Sequence, residues 1–143
     1  MRISDLLKEK GSAVATIRGS AIVADAVTDL GRHQIGALVV SADGEHIDGI
    51  VSERDVVRGL GTRHETLLGA PVTSIMSATV HTCSPDDDTD SLMAVMTERR
   101  IRHVPVVREG VLCGIVSIGD VVKCRIGELE RNRKELVDYI NGR

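Results

Sequence analysis

Two short stretches of the sequence hold the residues best suited to chemistry, at positions 49–55 and 114–120. Each combines a glycine, an apolar pair, a serine and, three residues after the serine, an aspartate. Ser52 and Ser117 offer a hydroxyl and a helix N-cap, while Asp55 and Asp120 offer two acceptor oxygens to a diol such as the ribose 2′- and 3′-hydroxyls. One such turn alone is a common capped helix start. Its duplication favours a binding role.

The duplication extends over most of the chain. The segments around Thr16 and Thr82 match at the same spacing as segments 35–40 and 101–106, and the spacing between the two aspartates is one residue shorter. A one-residue loss confined to the turn before Gly114 is what two copies of one fold show. The sequence therefore predicts an α+β fold of two β-α-β-β-α repeats, each of roughly fifty residues.

The strands at Thr16 and Thr82, the apolar segments 35–40 and 101–107, and both Gly-x-x-Ser-x-x-Asp turns form a recognisable set. This set resembles a tandem pair of cystathionine-β-synthase (CBS) domains, also called a Bateman module. The similarity is greatest to small stand-alone bacterial CBS-pair proteins. It implies repeats packed about a pseudo-twofold axis. It also implies binding of AMP, ADP, ATP, NAD(H) or S-adenosylmethionine, with a regulatory rather than a catalytic role.

The predicted domain boundaries follow from the repeat. They are an N-terminal helix at 1–11, CBS repeats at 12–60 and 74–126, a linker at 61–73, and a C-terminal helix extension at 127–143.

Local patterns predict the elements within these boundaries. Helices are expected at 3–10, 22–33, from 53, at 89–100 and at 118–140, and strands at 14–16, 37–40, 47–51 and their second-repeat counterparts. Residues 59–69 show no periodicity and predict an irregular linker, and residues 71–76 predict a helical turn. Turns are predicted at 43–44 and 109–110. The expected inward residues of the second helix are Ile22, Val23, Ala26, Val27 and Leu30.

Apolar residues recur at three- and four-residue steps along the last predicted helix, at Ile118, Val122, Ile126, Leu129, Leu136 and Ile140, with Arg133 in the one polar slot. Such a stripe can face another helix, either within the chain or across a dimer. We favour a homodimer.

On the CBS resemblance, the packed repeats leave two clefts, each built from both repeats. One would join Ser52 and Asp55 to residues 80–82, and the other would join Ser117 and Asp120 to residues 14–16. The candidate ligand-binding residues are Val14, Thr16, Gly36, Ala37, Ile50, Ser52, Arg54, Asp55, Val80, His81, Thr82, Arg102, His103, Ile115, Ser117, Gly119 and Asp120.

The two expected clefts differ at their phosphate ends. Arg102 and His103 stand where the first repeat has Gly36 and Ala37, and Arg54 stands where the second has Gly119. One strong and one weaker or differently selective site are therefore expected, and the glycines alternatively leave room for a bulkier dinucleotide. Since the chain has one Tyr and no Trp or Phe, adenine would lie between the aliphatic side chains of Val14, Val80, Ile50 and Ile115.

Composition narrows the class of protein. A net charge of −3 and the presence of a single aromatic residue argue against nucleic-acid binding. Three cysteines without CxxC spacing indicate reduced thiols, and no apolar run has transmembrane length. A cytoplasmic protein is expected. No metal site is expected, because Asp86, Asp87 and Asp88 are best placed to cap the following helix.

The search for a catalytic motif finds no HExxH pattern, no Gly-x-Ser-x-Gly elbow and no phosphate loop. The favoured reading is a regulatory module that binds an adenine nucleotide and modulates an unknown partner protein. The alternatives are a ligand-free interaction scaffold with the same fold and a small enzyme with an unrecognised site.

Overall fold

The computed structural model describes residues 1–142, so Arg143 at the end of the predicted C-terminal extension lies outside it. The helices are α1 (Ile3–Lys10), α2 (Val23–His33), α3 (Glu53–Arg63), α4 (Thr89–Arg99) and α5 (Ile118–Ile140). The strands are β1 (Thr16–Ile17), β2 (Ala37–Val40), β3 (Gly49–Ser52), β4 (His103–Arg108) and β5 (Val111–Ser117), and two 3₁₀ turns span His64–Gly69 and Val72–Ser74. The predicted α+β class, short first helix and long last helix are confirmed.

The two sheets differ in their first strand. In the first repeat, β1 pairs in parallel with β2, which pairs antiparallel with β3. In the second, β4 and β5 form a hairpin, the strand predicted at 80–82 is not formed, and a single bridge joins Cys83 to Val106. The reason is Pro105, which has no N–H to repeat the bond that Val39 N donates to Ala15 O at 3.2 Å in the first repeat.

Helix α2 begins one residue later than predicted, because Ile22 has an extended backbone and serves as its N-cap. Val23, Ala26 and Leu30 form the buried stripe, whereas Ile22 and Val27 are 39% and 41% exposed. The expectation that Ile22 and Val27 face inward was therefore wrong. Both lie at the edges of a stripe that is narrower than the sequence indicated.

The stretch predicted as an irregular linker is mostly helical. Helix α3 continues to Arg63, and a 3₁₀ turn follows to Gly69. Leu67 within that turn is fully buried, and a Cβ added at Gly59 would lie 2.7 Å from its Cδ2. The sequence of this segment has no helical periodicity of its own. The segment is organised by the burial of Leu67, for which Gly59 leaves room.

Two hydrophobic cores are present, and each takes in the segment that precedes the other repeat. Ile3, Leu6 and Leu7 of α1 pack with the second repeat's residues, whereas Leu67 and Val72 pack with the first repeat's residues. Backbone hydrogen bonds also join the segment before each repeat to the other repeat. Ile3 N donates to Asp87 O at 2.9 Å, and Val72 N donates to Ala21 O at 2.8 Å.

The acids before α4 do not act as predicted. Asp88 occupies the N-cap position of α4 without a side-chain cap hydrogen bond, and Asp87 Oδ2 instead accepts from Ser84 N at 2.8 Å. Asp87 thus organises the turn before the helix, and the predicted side-chain cap was wrong.

Both predicted hairpin turns are present. Glu109 and Gly110 have φ of 51° and 80° and join β4 to β5, and Gly44 has φ of 79°. The longer loop of the first repeat is held by Asp43, whose carboxylate accepts from the backbone N–H groups of Glu45 and His46, both at 2.8 Å.

Helix α5 carries the predicted apolar stripe on its open side from Val122 onward, whereas Ile118 is partly buried against the second repeat's core. Val121 is its buried residue, while Ile126 and Leu129 are 51% and 52% exposed. Further exposed members of this face are Val122, Leu136 and Ile140. We call Val122, Ile126, Leu129, Leu136 and Ile140 the α5 stripe.

Candidate functional site

The two Ser-x-x-Asp turns have nearly the same geometry. Asp55 Oδ2 accepts from Ser52 N at 2.9 Å, and Asp120 Oδ2 accepts from Ser117 N at 2.8 Å. Each serine hydroxyl in return accepts from its aspartate's N–H, which completes a capping box. Because a carboxylate has two oxygens with about four lone-pair sites, a capping box leaves it able to accept further donors.

A cavity of about 780 Å³ opens between the two repeats. The predicted site residues that line it are Val14, Thr16, Gly36, Ala37, His103, Ile115, Ser117 and Asp120. The segment leading into β1 and the start of β2 supply the first-repeat wall, and β4, β5 and the first turn of α5 supply the other. This is the combination expected for the cleft of Ser117 and Asp120.

Several lining residues were not among the candidates. These are Lys10, Ala13, Ala15, Asp29, Arg32, His33, Gln34, Ile35 and Leu38. Arg32 and His33 lie in the last turn of α2, just before Gly36, so their closeness in sequence to a candidate was a usable signal. Lys10 gave no such signal, because the packing of α1 on the second repeat is not visible in the local sequence.

The cavity wall carries both basic and acidic side chains. The basic ones are Lys10, Arg32, His33 and His103, and the carboxylates are those of Asp29 and Asp120. Arg32 Nη2 pairs with Asp29 Oδ1 at 3.2 Å on the same helix. This distribution suits a ligand that has both hydroxyl donors and an anionic group.

His103 reaches the cavity from β4 and lies against the backbone of Gly36. A Cβ at Gly36 would lie 2.9 Å from the His103 Nε2 and 3.0 Å from its Cε1. The space that Gly36 provides is therefore filled by the imidazole ring, which leaves less room there for the bulkier ligand considered above. Burial lowers the pKa of His103, although the nearby Glu53 carboxylate opposes the shift.

Asp120 is paired with Lys10. Lys10 Nζ lies 2.6 Å from Asp120 Oδ2 and also donates to Ile115 O at 2.8 Å. Burial acts to raise the pKa of Asp120, but hydrogen bonds from Lys10 and Ser117 outweigh it, and the pKa lies below its usual range. The carboxylate is ionised at neutral pH.

The remaining candidates do not line this cavity. They are Ile50, Ser52, Arg54, Asp55, Val80, His81, Thr82, Arg102 and Gly119. Ile50 bridges to Ser77 rather than to residues 80–82, and Arg54 Nη1 donates to Arg100 O at 3.2 Å. The structure thus places the Arg54 side chain beside the C-terminal end of α4, and Arg54 does not line the cavity.

Within residues 1–142, the group of side chains spaced closely enough to hold a metal ion is Asp43, Glu45 and His46. All three are exposed in the loop between β2 and β3, outside the cavity. Hydrogen bonds from the backbone and ring of His46 and the backbone of Glu45 hold the pKa of Asp43 well below its usual range. The cluster is explained by its own loop geometry.

Comparison with known proteins identifies the family. The CBS domain matches residues 3–62 and again 72–127, and the chain therefore belongs to the CBS-domain family. It is similar to the CBS domain-containing protein CBSX3, mitochondrial, of Arabidopsis thaliana, with 35% identity over 98% of this chain and 72% of that protein.

Solved structures show the same fold. The CBS-domain protein ATU1752 from Agrobacterium tumefaciens is 42% identical with a TM-score of 0.84, and the match covers 87% of this chain and 99% of that one. The protein PAE2072 from Pyrobaculum aerophilum, solved in complex with AMP, is 28% identical with a TM-score of 0.75 over 84% and 89% of the two chains.

As a CBS pair, the chain falls in a class of regulatory modules. None of the helices over residues 1–142 has the length and hydropathy needed to span a bilayer.

Proposed function

We propose that the chain is a regulatory CBS pair that binds an adenine nucleotide in the cavity between its repeats. The observation that carries the proposal is the meeting of Asp120 from the second repeat with residues 14–16 of the first across a cavity of about 780 Å³. That volume is within the range of roughly 300–1,000 Å³ typical of small-molecule sites. The AMP complex of the relative PAE2072 supports this class of ligand.

Each part of a nucleotide has a matching wall. The ribose diol donates to Asp120, and the base lies between the aliphatic side chains of Val14 and Ile115. The phosphate lies toward His103 and Arg32, whose nitrogens are suited to donate to an anion. ADP, ATP and NAD(H) share the adenosine part and differ in how far they extend beyond it.

A second site of different strength is proposed around Ser52 and Asp55. Its acceptor geometry repeats that of Asp120, since Asp55 Oδ2 accepts from Ser52 N at 2.9 Å. Ile50, Val80, His81, Thr82 and Arg102 remain its candidate contacts. With Arg54 bonded to Arg100 O, its phosphate end has a different set of cations from that of the first cleft.

We propose that two copies associate through the α5 stripe. Its five apolar side chains recur at the spacing with which helices pack against each other, and they are exposed in the single chain. Helix α5 begins at Ser117 and Asp120, so occupancy of the cavity and the geometry of the dimer share one element. A partner protein that contacts the dimer would sense the ligand through that geometry.

The first test is to denature the purified protein and identify released small molecules by mass spectrometry, followed by calorimetric titration with AMP. The substitution Asp120→Asn keeps the shape but replaces the charged acceptor, and should weaken AMP binding at least about tenfold, because hydrogen bonds to charged groups contribute about 1.5–3 kcal/mol. Asp55→Asn tests the second site in the same way.

A matched control is Asp25→Asn. Asp25 Oδ2 accepts from Ile22 N at 3.4 Å in the first turn of α2 and does not line the cavity. This variant replaces a charged acceptor in a comparable capping position and should bind AMP normally. Unchanged AMP affinity in Asp120→Asn would show that the site is misplaced. Failure of the wild-type protein to bind any adenine nucleotide would favour the interaction scaffold.

A further inference from the structure

The Lys10 ammonium is hydrogen-bonded to the carboxylate proposed to bind the ribose. Its Nζ donates to Asp120 Oδ2 at 2.6 Å and to Ile115 O at 2.8 Å, and the two side chains are only 30% and 25% exposed. Lys10 is the last residue of α1, and the chain turns at Gly11 directly after it. The Asp120 carboxylate at the cavity therefore already has a cationic hydrogen-bond donor, Lys10.

The hydrogen bonds at Asp120 leave no open position on one of its two oxygens. Oδ2 accepts from both Lys10 Nζ and Ser117 N, which fills the two lone pairs of that oxygen. A ribose donates through two neighbouring hydroxyls, and a carboxylate receives them best with one on each oxygen. Ribose binding in that arrangement requires a position on Oδ2 that Lys10 holds.

The first repeat lacks this lysine. At the spacing that relates Thr16 to Thr82, the counterpart of Lys10 is Met76, which has no donor. The carbonyl equivalent to that of Ile115 is that of Ile50, and it accepts from the backbone N–H of Ser77 at 2.9 Å. The same carbonyl is therefore bonded by a fixed backbone group in one repeat and by a movable side chain in the other.

A second cavity gives the ammonium a place to go. A pocket of about 260 Å³ between α1 and α5 shares Lys10 and Asp120 with the larger cavity. Its other charged side chains are those of Glu9, Lys123 and Arg131, of which Glu9 offers a carboxylate to the released ammonium. A rotation of the Lys10 side chain between the two cavities would free Asp120 while α1 keeps its buried residues in the core.

We propose that Lys10 is an internal competitor of the nucleoside: its ammonium holds Asp120 in the empty cleft and must withdraw before the ribose binds. This inference rests on the proposed function and adds a regulatory contact to it. It also makes the C-terminal end of α1 report on the occupancy of the cleft. The ligand class that competes with Lys10 is any nucleoside with a free 2′,3′-diol.

The test is calorimetric titration of Lys10→Met and the wild-type protein with adenosine, which has no phosphate that Lys10 might contact. Methionine is the residue at the equivalent position, Met76, which packs against the first repeat, and it keeps the length of the side chain. Removal of the competing ion pair should tighten adenosine binding about two- to fivefold, the range given by a partly exposed pair. Lys10→Arg retains the charge and should bind adenosine as the wild type does.

Lys8→Met is the matched control, since Lys8 is on the same helix and takes part in none of the ion pairs found among residues 1–142. Its adenosine affinity should equal that of the wild type. Adenosine affinity that is unchanged or weaker in Lys10→Met overturns the proposal, as does adenosine binding below detection in both proteins while AMP binds. If the wild type binds neither AMP nor any other adenine nucleotide, the proposed function itself has failed.

Discussion

Substitution of Gly36 by alanine tests whether His103 donates to the phosphate. An alanine Cβ would lie 2.9 Å from the His103 Nε2 and 3.0 Å from its Cε1, with Glu53 Oε1 at 3.4 Å. Since carbon contacts are favourable at about 3.5–4.0 Å, the ring has to move by roughly 0.5–1 Å. The clash is with the far end of a side chain, so the expected loss of stability is about 1 kcal/mol, at the low end for overpacking.

The effect on binding follows from the protonation of His103. Burial lowers its pKa, so the ring is neutral near pH 7 in the free protein. Displacing a neutral donor costs about 0.5–1.5 kcal/mol, which weakens AMP binding roughly two- to tenfold. Adenosine has no phosphate and should bind equally well to both proteins.

Isothermal titration of AMP and adenosine into wild type, Gly36→Ala and Gly31→Ala separates the possibilities. Gly31 is in α2, and a Cβ there meets nothing within 4 Å, so it controls for the added methyl group. An equal loss for AMP and adenosine would mean that the alanine blocks the cleft itself. An unchanged AMP affinity would refute the role of His103.

Four further predictions concern pH, stability and assembly. A bound phosphate favours the imidazolium form of His103. The affinity for AMP relative to that for adenosine should therefore rise as pH falls from about 7.5 to about 6. Titrations at several pH values should show a flatter trend for His103→Gln. The lowered His103 pKa also means that its share of stability is present above its ordinary pKa of 6.5 and is lost as pH falls through the folded value, as thermal melts should show. Leu67→Ala should cost about 2–5 kcal/mol in chemical denaturation, whereas the 38% exposed Leu68 should tolerate alanine at under about 1 kcal/mol. Ile126→Glu on the α5 stripe should yield monomers by analytical ultracentrifugation with the fold intact, whereas Lys123→Glu should not; a dimer that survives Ile126→Glu places the interface elsewhere.

The fold was largely predictable because the sequence contains two copies of the same pattern. The bounds of α5 agree with prediction at Ile118 and Ile140, since a capping serine and a regular apolar spacing mark them. The predictions were wrong where a residue acts through a contact outside its own helix or strand. Pro105 removes a strand bond to a segment far away in the sequence, and Leu67 organises a turn through burial against Gly59.

The candidate site was predictable only in its repeated part. The turn at Ser117 and Asp120 and the strand at Thr16 line the cavity, because the repeat pattern identifies them. Lys10 could not be found that way, since its counterpart Met76 has different chemistry and its contact with Asp120 depends on the packing of α1 on the opposite repeat. The repeat pattern identifies residues that the two copies share, but it does not identify a residue such as Lys10 that occurs in one copy alone.

The crossing of the leading segments into each other's cores has a consequence for the ancestry of the chain. A single-copy ancestor with this architecture would bury its core only by exchanging its leading segment with a second molecule. Fusion of two copies makes that exchange intramolecular, at a high effective concentration. It also places the segment before each repeat against the other repeat, so that the equivalent residues Lys10 and Met76 need not be alike.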